Sequence, residues 1–370
     1  MFTAIRHYFQ RIDRWTAALC LLSSVLSIVL LMSIHQSYPD YVGKRTVLMQ
    51  IGATGLGVVA MIVLSLVDYT IFTRFWYFHY PLCVLFVCLT FVFGVGRAGA
   101  DDKAWLLIFG VSVQPSEFLK LSFILTFAAQ VEQIKDSVNT FFGLLRLCFF
   151  GLLPCALVVL QGDDGSAMVF LLIFVCMIFA AGISYKWIAL AGGLAAVAVP
   201  LIWKFVMNND QKLRFLVLFD DSISPEVVYQ QNAGLKAMSY GGMWGTGLFN
   251  GTHKYIPEMH NDMIFSFIGN ALGFVGCCAV LLVLGTISVR ILLAARKSEE
   301  NVQGKIVCAG VFGMFAFQTI INVGMNLKVL PVVGITLPLF SSGGSSVLMT
   351  YIAVGIIMNV YSQSHLKTLY

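Results

Sequence analysis

The stretch "YIPEMHNDMIFSFIGNALGFVG", Tyr255–Gly276, joins a polar run to an apolar one. Its first half carries Glu258, His260 and Asp262, and an apolar run, Met263–Leu284, follows at once. A helix that crosses a membrane needs about 20 mostly apolar residues, which this run supplies. A carboxylate beside such a helix is costly in lipid and is a functional candidate by default. The stretch therefore predicts a membrane-spanning helix with a polar site at its entrance.

The composition of the whole chain excludes a soluble domain. Of its 370 residues 59% are hydrophobic and only 11% are charged, whereas soluble domains carry about 25% charged residues. The mean hydropathy is +0.86. The first apolar run is long enough to span and lacks a small-residue cleavage site behind it, so we expect no cleaved signal peptide. These features predict a polytopic membrane protein surrounded by membrane lipids.

Cysteines and net charge point to no further chemistry. All nine cysteines lie in apolar runs and none forms a CxxC pair, which is typical of small buried hydrophobic residues. The net charge of +5 comes from scattered basic residues, so it does not predict a nucleic-acid partner. No organic cofactor is expected.

The apolar runs predict an all-α fold with about ten transmembrane helices in one integral membrane domain, residues 1–370. A transmembrane barrel would show short alternating segments instead of long apolar runs. The predicted spans are Ala17–Ile34, Val47–Leu66, Trp76–Gly94, Pro115–Ala129, Phe142–Leu160, Ala167–Gly182, Ile188–Val206, Met263–Leu284, Val307–Met325 and Ser346–Val360.

Orientation follows from Lys and Arg in the short connecting segments, which favour the cytoplasmic side. Leaving the long loop aside, most of these residues lie on the side that holds both termini. We therefore expect cytoplasmic N and C termini. The large loop between helices 7 and 8, residues 207–262, then faces outward, and chemistry is expected in it or beside it.

Charged residues also occur in "VSVQPSEFLKLSFIL", Val111–Leu125. Glu117 and Lys120 are three residues apart, so they share one helix face. They could form a self-neutralising pair that packs two helices. Alternatively they could line a polar cavity, with Lys120 holding a phosphate, Glu117 orienting it and Gln114 adding a hydrogen-bonding amide.

Two further polar segments lie beside predicted spans. In "QGDDGSAM", Asp163 and Asp164 occupy a short outer turn, either as ordinary solvated turn residues or as a cation or sugar contact. In "ITLPLFSSGGSSVLM", Ser341 and Ser342 begin a Ser/Gly run at a helix start. That run is either a re-entrant loop or a cradle for an anion. The basic residues Arg45, Arg97 and Lys103 are interface anchors or contacts for a phosphorylated lipid.

Asp262 also has two interpretations. It could cap the helix that follows it, because a carboxylate interacts favourably with a helix N-terminus. It could instead remove a proton from a sugar hydroxyl or bind a divalent cation such as Mg²⁺ or Mn²⁺. His260 would be a second ligand or a substrate contact, although one His and one Asp do not make a metal motif.

Four blocks, in order and spacing, resemble the SEDS family (shape, elongation, division and sporulation; the RodA, FtsW and SpoVE group). They are "QPSEFLKL" (114–121), "YQQNAGLKAMSYGGMWGTGLFNGT" (229–252), "IPEMHNDMIFSFIG" (256–269) and "LPVVGITLPLFSSGGSS" (330–346). Trp105 and the "QGDDG" turn agree with the family pattern as well. The chain departs from that pattern at Asn270 and Ala271, where the family often has two glutamates.

The resemblance implies a ten-span glycosyltransferase of the bacterial inner (plasma) membrane. Such proteins polymerise lipid II into peptidoglycan and pair with a class B penicillin-binding protein, the transpeptidase. By the same resemblance Asp262 is the catalytic residue, Glu117 and Lys120 line the substrate cavity, Trp105 is the tryptophan of the second outer loop, and Asp163 is the aspartate of the turn.

Two other function classes would use the same residues differently. A lipid II flippase or lipid carrier would need the cavity and its basic residues but no catalytic base. A scaffold that only activates the transpeptidase would depend on its lipid-facing surfaces and not on Asp262.

Overall fold

The structure is a computed structural model that describes residues 13–96, 103–298 and 300–367. Long helices dominate it, as the apolar runs predict. The helices are α1 Arg14–Ser37, α2 Lys44–Leu66, α3 Tyr69–Arg74, α4 Trp76–Cys88, α5 Thr90–Phe93, α6 Pro115–Gln133, α7 Phe141–Leu160, α8 Asp164–Ala180, α9 Tyr185–Leu201, α10 Asn209–Leu216, α11 Pro225–Gly241, α12 Ile264–Lys297, α13 Val302–Asn326 and α14 Gly344–Lys367. A 3₁₀ turn, Lys135–Ser137, and a π turn, Ile202–Val206, are the other helical elements among the described residues.

Eight helical segments within the described ranges are long and apolar enough to cross a membrane. They are Arg14–Ser37, Lys44–Leu66, Trp76–Phe93, Phe141–Leu160, Tyr185–Val206, Ile264–Lys297, Val302–Asn326 and Gly344–Gln363. Helix α8 is apolar but shorter, and α6 carries the buried Glu117 and Lys120. The multi-pass helical fold is confirmed, and the count of about ten spans stays a prediction.

Three local features differ from the sequence prediction. The segment 207–262 is not a plain loop, because it contains α10 and α11. The span Trp76–Gly94 is interrupted between α4 and α5. A β-hairpin, β1 Leu106–Ile108 and β2 Val111–Val113, adds two short antiparallel strands with Leu106 opposite Val113. These strands are too short for the apolar-run analysis to detect.

Close packing of α2 against α14 forms one side of the bundle. An added Cβ at Gly57 would lie 2.7 Å from Cδ2 of Tyr351, and one at Gly355 would lie 2.8 Å from the carbonyl oxygen of Met61. Small residues at such points let membrane helices approach closely. The Tyr351 hydroxyl donates to Ser24 Oγ at 2.8 Å, which ties α14 to α1 as well.

Helix α12 is broken at Gly273, whose φ of 68° and ψ of −168° lie outside the helical region. In an unbroken helix the amide of Phe274 would donate to the carbonyl of Asn270. Here Phe274 N donates to the carbonyl of Gly242 at 2.9 Å, and the carbonyl of Asn270 accepts from Thr246 N at 3.0 Å. The amide of Val275 and the carbonyl of Ala271, which would also bond to each other in an unbroken helix, bond elsewhere in the same way. Val275 N donates to Met243 O, and Ala271 O accepts from Gly247 N. The glycine-rich segment 242–247 therefore makes four main-chain hydrogen bonds to α12, in place of two hydrogen bonds within that helix.

Candidate functional site

Asp262 lies two residues before α12 and is buried. Its carboxylate Oδ1 is 3.4 Å from the donating amide of Gln230 on α11. Its main-chain carbonyl accepts from Asn322 Nδ2 at 2.8 Å and from Asn326 Nδ2 at 2.9 Å, both on α13. Met263, and not Asp262, occupies the N-cap position of α12. The carboxylate is thus placed beside the helix start without serving as its cap residue.

The Ser/Gly run contacts the residues just before Asp262. Ser341 Oγ donates to the carbonyl of Asn261 at 2.5 Å, and Ser342 Oγ donates to the Asn261 side-chain oxygen at 2.8 Å. Ser342 N donates to the carbonyl of His260 at 2.8 Å. The polar stretch before α12 and the Ser/Gly run therefore form one structural unit.

The loop between α1 and α2 also contacts this unit, through Tyr41. The Tyr41 hydroxyl accepts from Glu258 N at 2.7 Å, and the His260 ring stands edge-on to the Tyr41 ring with centroids 5.3 Å apart. Asn261 Nδ2 donates to the Glu258 carboxylate at 2.7 Å. Burial raises the pKa of the Tyr41 hydroxyl, and the neighbouring Glu258 carboxylate raises it further, so Tyr41 stays protonated.

A cavity of about 400 Å³ opens beside Asn261. Its wall brings together Trp105 and Leu107, which lie at and in strand β1, with Gln50 of α2 and Ser342. The remaining lining residues are Thr46, Met49, Val95, Gly96, Leu106, Ser112, Thr336, Gly343 and Gly344. The cavity thus joins Trp105 and Ser342 to the residue that precedes Asp262.

Gln114 and Asp163 are brought together near Ser345, the residue that follows the lining Gly344. Gln114 Nε2 donates to Asp163 Oδ2 at 3.0 Å, and Gln114 N donates to Ser345 Oγ at 3.3 Å. Asp163 Oδ1 also accepts from Ser166 N at 2.9 Å and so caps α8. The turn aspartate therefore has a structural role, while its proposed contact with a sugar or cation stays a prediction.

Glu117 and Lys120 form a buried ion pair on α6, with Lys120 Nζ 2.6 Å from Glu117 Oε1. Gln318 of α13 adds a third member, because its amide oxygen, oriented to satisfy its neighbours, accepts from Lys120 Nζ at 2.7 Å. Lys120 is fully buried and does not line the 400 Å³ cavity. This geometry matches the self-neutralising pair, and the phosphate-binding role stays a prediction.

Two of the basic candidates, Arg45 and Lys103, lie in the part of the chain that the structure describes. Arg45 is exposed, and its guanidinium donates to the carbonyl of Gly110 at the hairpin turn. Lys103 is exposed as well. Arg97 lies outside the described residues. A positive group is thus fixed next to the strand whose residues line the cavity.

Sequence reasoning missed the neutral amides of the site. Gln50 lines the cavity and holds the Ser/Gly run, since its amide donates to Ser341 O at 3.3 Å and accepts from Gly343 N at 3.3 Å. Gln230 lies in a quoted block but gave no signal of its own. Asn322 and Asn326 gave none either, because amides in an apolar helix do not change its charge pattern.

No cluster of three or more His, Cys, Asp or Glu residues suited to a metal occurs in the described ranges. Asp262 could therefore offer a cation a single carboxylate. Mg²⁺ is often held in this way, by one or two carboxylates together with substrate phosphates and water.

A profile of the cell cycle protein family that includes FtsW, RodA and SpoVE matches residues 11–366. The chain belongs to this family. FtsW of Bacillus subtilis, a probable peptidoglycan glycosyltransferase, is 33% identical over 75% of this chain and 72% of its own length. The peptidoglycan glycosyltransferase MrdB of Escherichia coli K12 is 28% identical over 85% of each chain.

Solved structures share the fold. The rod shape determining protein RodA of Thermus thermophilus is 25% identical, covers 95% of this chain and 96% of its own, and superposes with a TM-score of 0.69. A chain of a peptidoglycan synthase complex gives a TM-score of 0.78 at 24% identity, covering 96% of this chain and 98% of its own. The family assignment and the RodA-like architecture predicted from the motifs are confirmed.

Proposed function

We propose that this protein is a peptidoglycan glycosyltransferase that polymerises lipid II on the outer face of the bacterial inner membrane. The observation that carries the proposal is the unit formed by 258–262 and the Ser/Gly run. It places the buried Asp262 next to a residue of the cavity wall. The family's glycosyltransferase members support the reaction class.

The reaction requires a base and stabilisation of a leaving diphosphate. The acceptor 4-hydroxyl attacks the anomeric carbon of the donor, the bond from that carbon to the diphosphate oxygen breaks, and the diphosphate leaves with the bonding electrons. Asp262 accepts the hydroxyl proton. A positioned general base typically contributes 10²–10⁴-fold to such a step.

Several groups are arranged to bind the substrate around this base. Trp105 and Ser342 would contact the sugars in the cavity, and Arg45 would meet the diphosphate from the rim. Lys120 is enclosed by Glu117 and Gln318, so its contact with a phosphate requires this cluster to open. A bound Mg²⁺ or Mn²⁺, held by Asp262, would supply further positive charge for the diphosphate.

The partner follows from the same assignment. One structural relative is a chain of a synthase complex that combines polymerisation and crosslinking. We therefore assign this chain a class B penicillin-binding protein as its transpeptidase partner, with the two active sites facing the same side of the membrane.

The test is polymerisation of labelled lipid II by purified protein, analysed on a gel, with and without a divalent cation and the transpeptidase. We expect a ladder of glycan strands from the wild type and none from Asp262→Asn, which has almost the same shape. Asp136→Asn, which alters an exposed carboxylate in the 3₁₀ turn, is the matched control and should polymerise normally. Normal polymer from a folded Asp262→Asn variant would refute the assignment of the base.

A further inference from the structure

Two buried asparagines at the end of α13 converge on Asp262. Asn322 and Asn326 are fully buried and four residues apart, so they lie on one helix face. Each donates its side-chain amide to the same main-chain carbonyl, that of Asp262, at 2.8 and 2.9 Å. A carbonyl oxygen has two lone pairs, and here two side chains use both. The backbone of Asp262 is therefore fixed from two directions.

Asn326 also completes the helix that Asp262 precedes. The first amides of a helix lack intrahelical acceptors, and a side chain at the N-cap position usually accepts from one of them. Met263 occupies that position and makes no such bond. Instead Asn326 Oδ1 accepts from Ser266 N at 2.9 Å and from Ser266 Oγ at 2.6 Å. The cap of α12 thus comes from a neighbouring helix.

Asn322 links the same point to the residues that precede the Ser/Gly run. Its Nδ2 also donates to the carbonyl of Ile335 at 2.7 Å. Ile335 begins the segment that leads to Ser341 and Ser342, which hold Asn261. One side-chain amide therefore sets the distance between the backbone of Asp262 and the segment that carries the Ser/Gly run.

We propose that Asn322 and Asn326 are positioning residues that hold Asp262 and the Ser/Gly run in the geometry needed for proton transfer. This inference rests on the proposed function, because it treats Asp262 as the base. Neither asparagine touches the Asp262 carboxylate in the contacts described above. Their effect on the reaction passes through the backbone, so their loss should lower kcat with little change in KM.

The chain offers a matched control in Gln231 of α11. Gln231 is buried, and its amide bridges two carbonyls, those of Met325 and Leu330, at 2.8 Å each. Asn322→Leu and Gln231→Met each remove a buried amide that donates to two carbonyls. Only Asn322 bonds to Asp262, so the pair separates positioning from general stability.

The experiment compares thermal midpoints in detergent with kcat and KM for lipid II polymerisation. We expect similar losses of thermal midpoint in both variants, but a fall of about ten- to a hundred-fold in kcat only for Asn322→Leu, because displacements of about 1 Å can cost this much. Asn326→Leu removes both the donor to Asp262 and the acceptor for Ser266. It should therefore lower the thermal midpoint and kcat together.

Three outcomes decide the inference. Equal loss of kcat in Asn322→Leu and Gln231→Met would show that both amides act through stability, and would overturn it. Wild-type kcat in a folded Asn322→Leu variant, with Asp262→Asn inactive, would also overturn it and leave the proposed function intact. A wild type that forms no polymer with substrate, cation and transpeptidase present would instead overturn the proposed function, and the positioning role with it.

Discussion

Substitution of Gly241 by alanine tests the segment that is docked into the break of α12. Gly241 is buried at the end of α11. An added Cβ would overlap the carbonyl oxygen of Gly269 and lie 2.7 Å from the carbonyl oxygen of Asn270. Both are backbone atoms that cannot rotate away, so the segment 242–247 must move. Its four bonds to α12 then weaken.

The loss of stability is the sum of two destabilising effects and one stabilising effect. Loss of two of the four bonds costs about 1 kcal/mol each, and overpacking costs about 1–3 kcal/mol. The better helix propensity of alanine returns about 1 kcal/mol. We therefore expect the free energy of unfolding to fall by roughly 2–4 kcal/mol.

The assay is equilibrium unfolding of purified protein in mixed detergent micelles. Gly285→Ala is the control, because Gly285 lies on α12, the helix that the segment contacts, and an added Cβ there meets no atom within 4 Å. That variant should be unchanged or more stable by up to about 1 kcal/mol. If Gly241→Ala proves as stable as Gly285→Ala, the docked segment does not carry the energy assigned to it here.

Three further predictions concern other parts of the molecule. Burial lowers the pKa of His253 below its ordinary 6.5. The contribution of His253 to stability is therefore complete above pH 6.5 and is lost as the pH falls through the folded-state pKa. Thermal midpoints measured between pH 7.5 and 5 should fall less for His253→Gln than for the wild type. Burial raises the pKa of Asp13, but hydrogen bonds from Arg290 and Thr16 outweigh that effect and hold the pKa below its usual value. Arg290→Met removes the partner of this mostly buried carboxylate and should lower the free energy of unfolding by roughly 3 kcal/mol. A variant as stable as the wild type in equilibrium unfolding would contradict the role of the pair. Trp105→Ala removes an aromatic side chain from the cavity wall and should raise KM for lipid II at least several-fold with little effect on kcat, and a change confined to kcat would exclude substrate contact.

The sequence located the polar site because charge in an apolar chain is easy to detect. Local features predict Asp262 and Ser342, and the family resemblance predicts Trp105; the structure places all three at or beside one cavity. The contact between the Ser/Gly run and Asn261 joins segments about 80 residues apart, which no local pattern encodes. Their convergence therefore could not be predicted from the residues alone.

The structure also adds contacts to local features whose roles the sequence left open. Asp163 serves as the cap of α8 and accepts from Gln114, which is more than a solvated turn residue does. Glu117 and Lys120 pair as their spacing predicts, but their enclosure by Gln318 comes from a distant helix. Spacing predicts which side chains share a face, while burial depends on what packs against that face.

The break at Gly273 separates residues 264–272 from the rest of α12, and the sequence does not predict this separation. The carbonyls of Asn270 and Ala271 accept from segment 242–247, so residues 264–272 are not bonded to the rest of α12 at this point. Asn270 is fully buried, and its side chain donates to the carbonyl of Ala237 at 2.8 Å, a bond that a carboxylate could not make. A neutral amide there also avoids burying a charge.

This short helix is held at one end by α11 and segment 242–247, and at the other end by Asn322 and Asn326 of α13. The position of Asp262 is therefore set by its neighbours more than by the membrane-spanning remainder of α12. A perturbation at the Gly273 end reaches Asp262 indirectly, along the short helix or through Gln230 of α11, whereas a perturbation of Asn322 acts on its backbone directly. For an equal loss of stability, Asn322→Leu should therefore reduce kcat more than Gly241→Ala does.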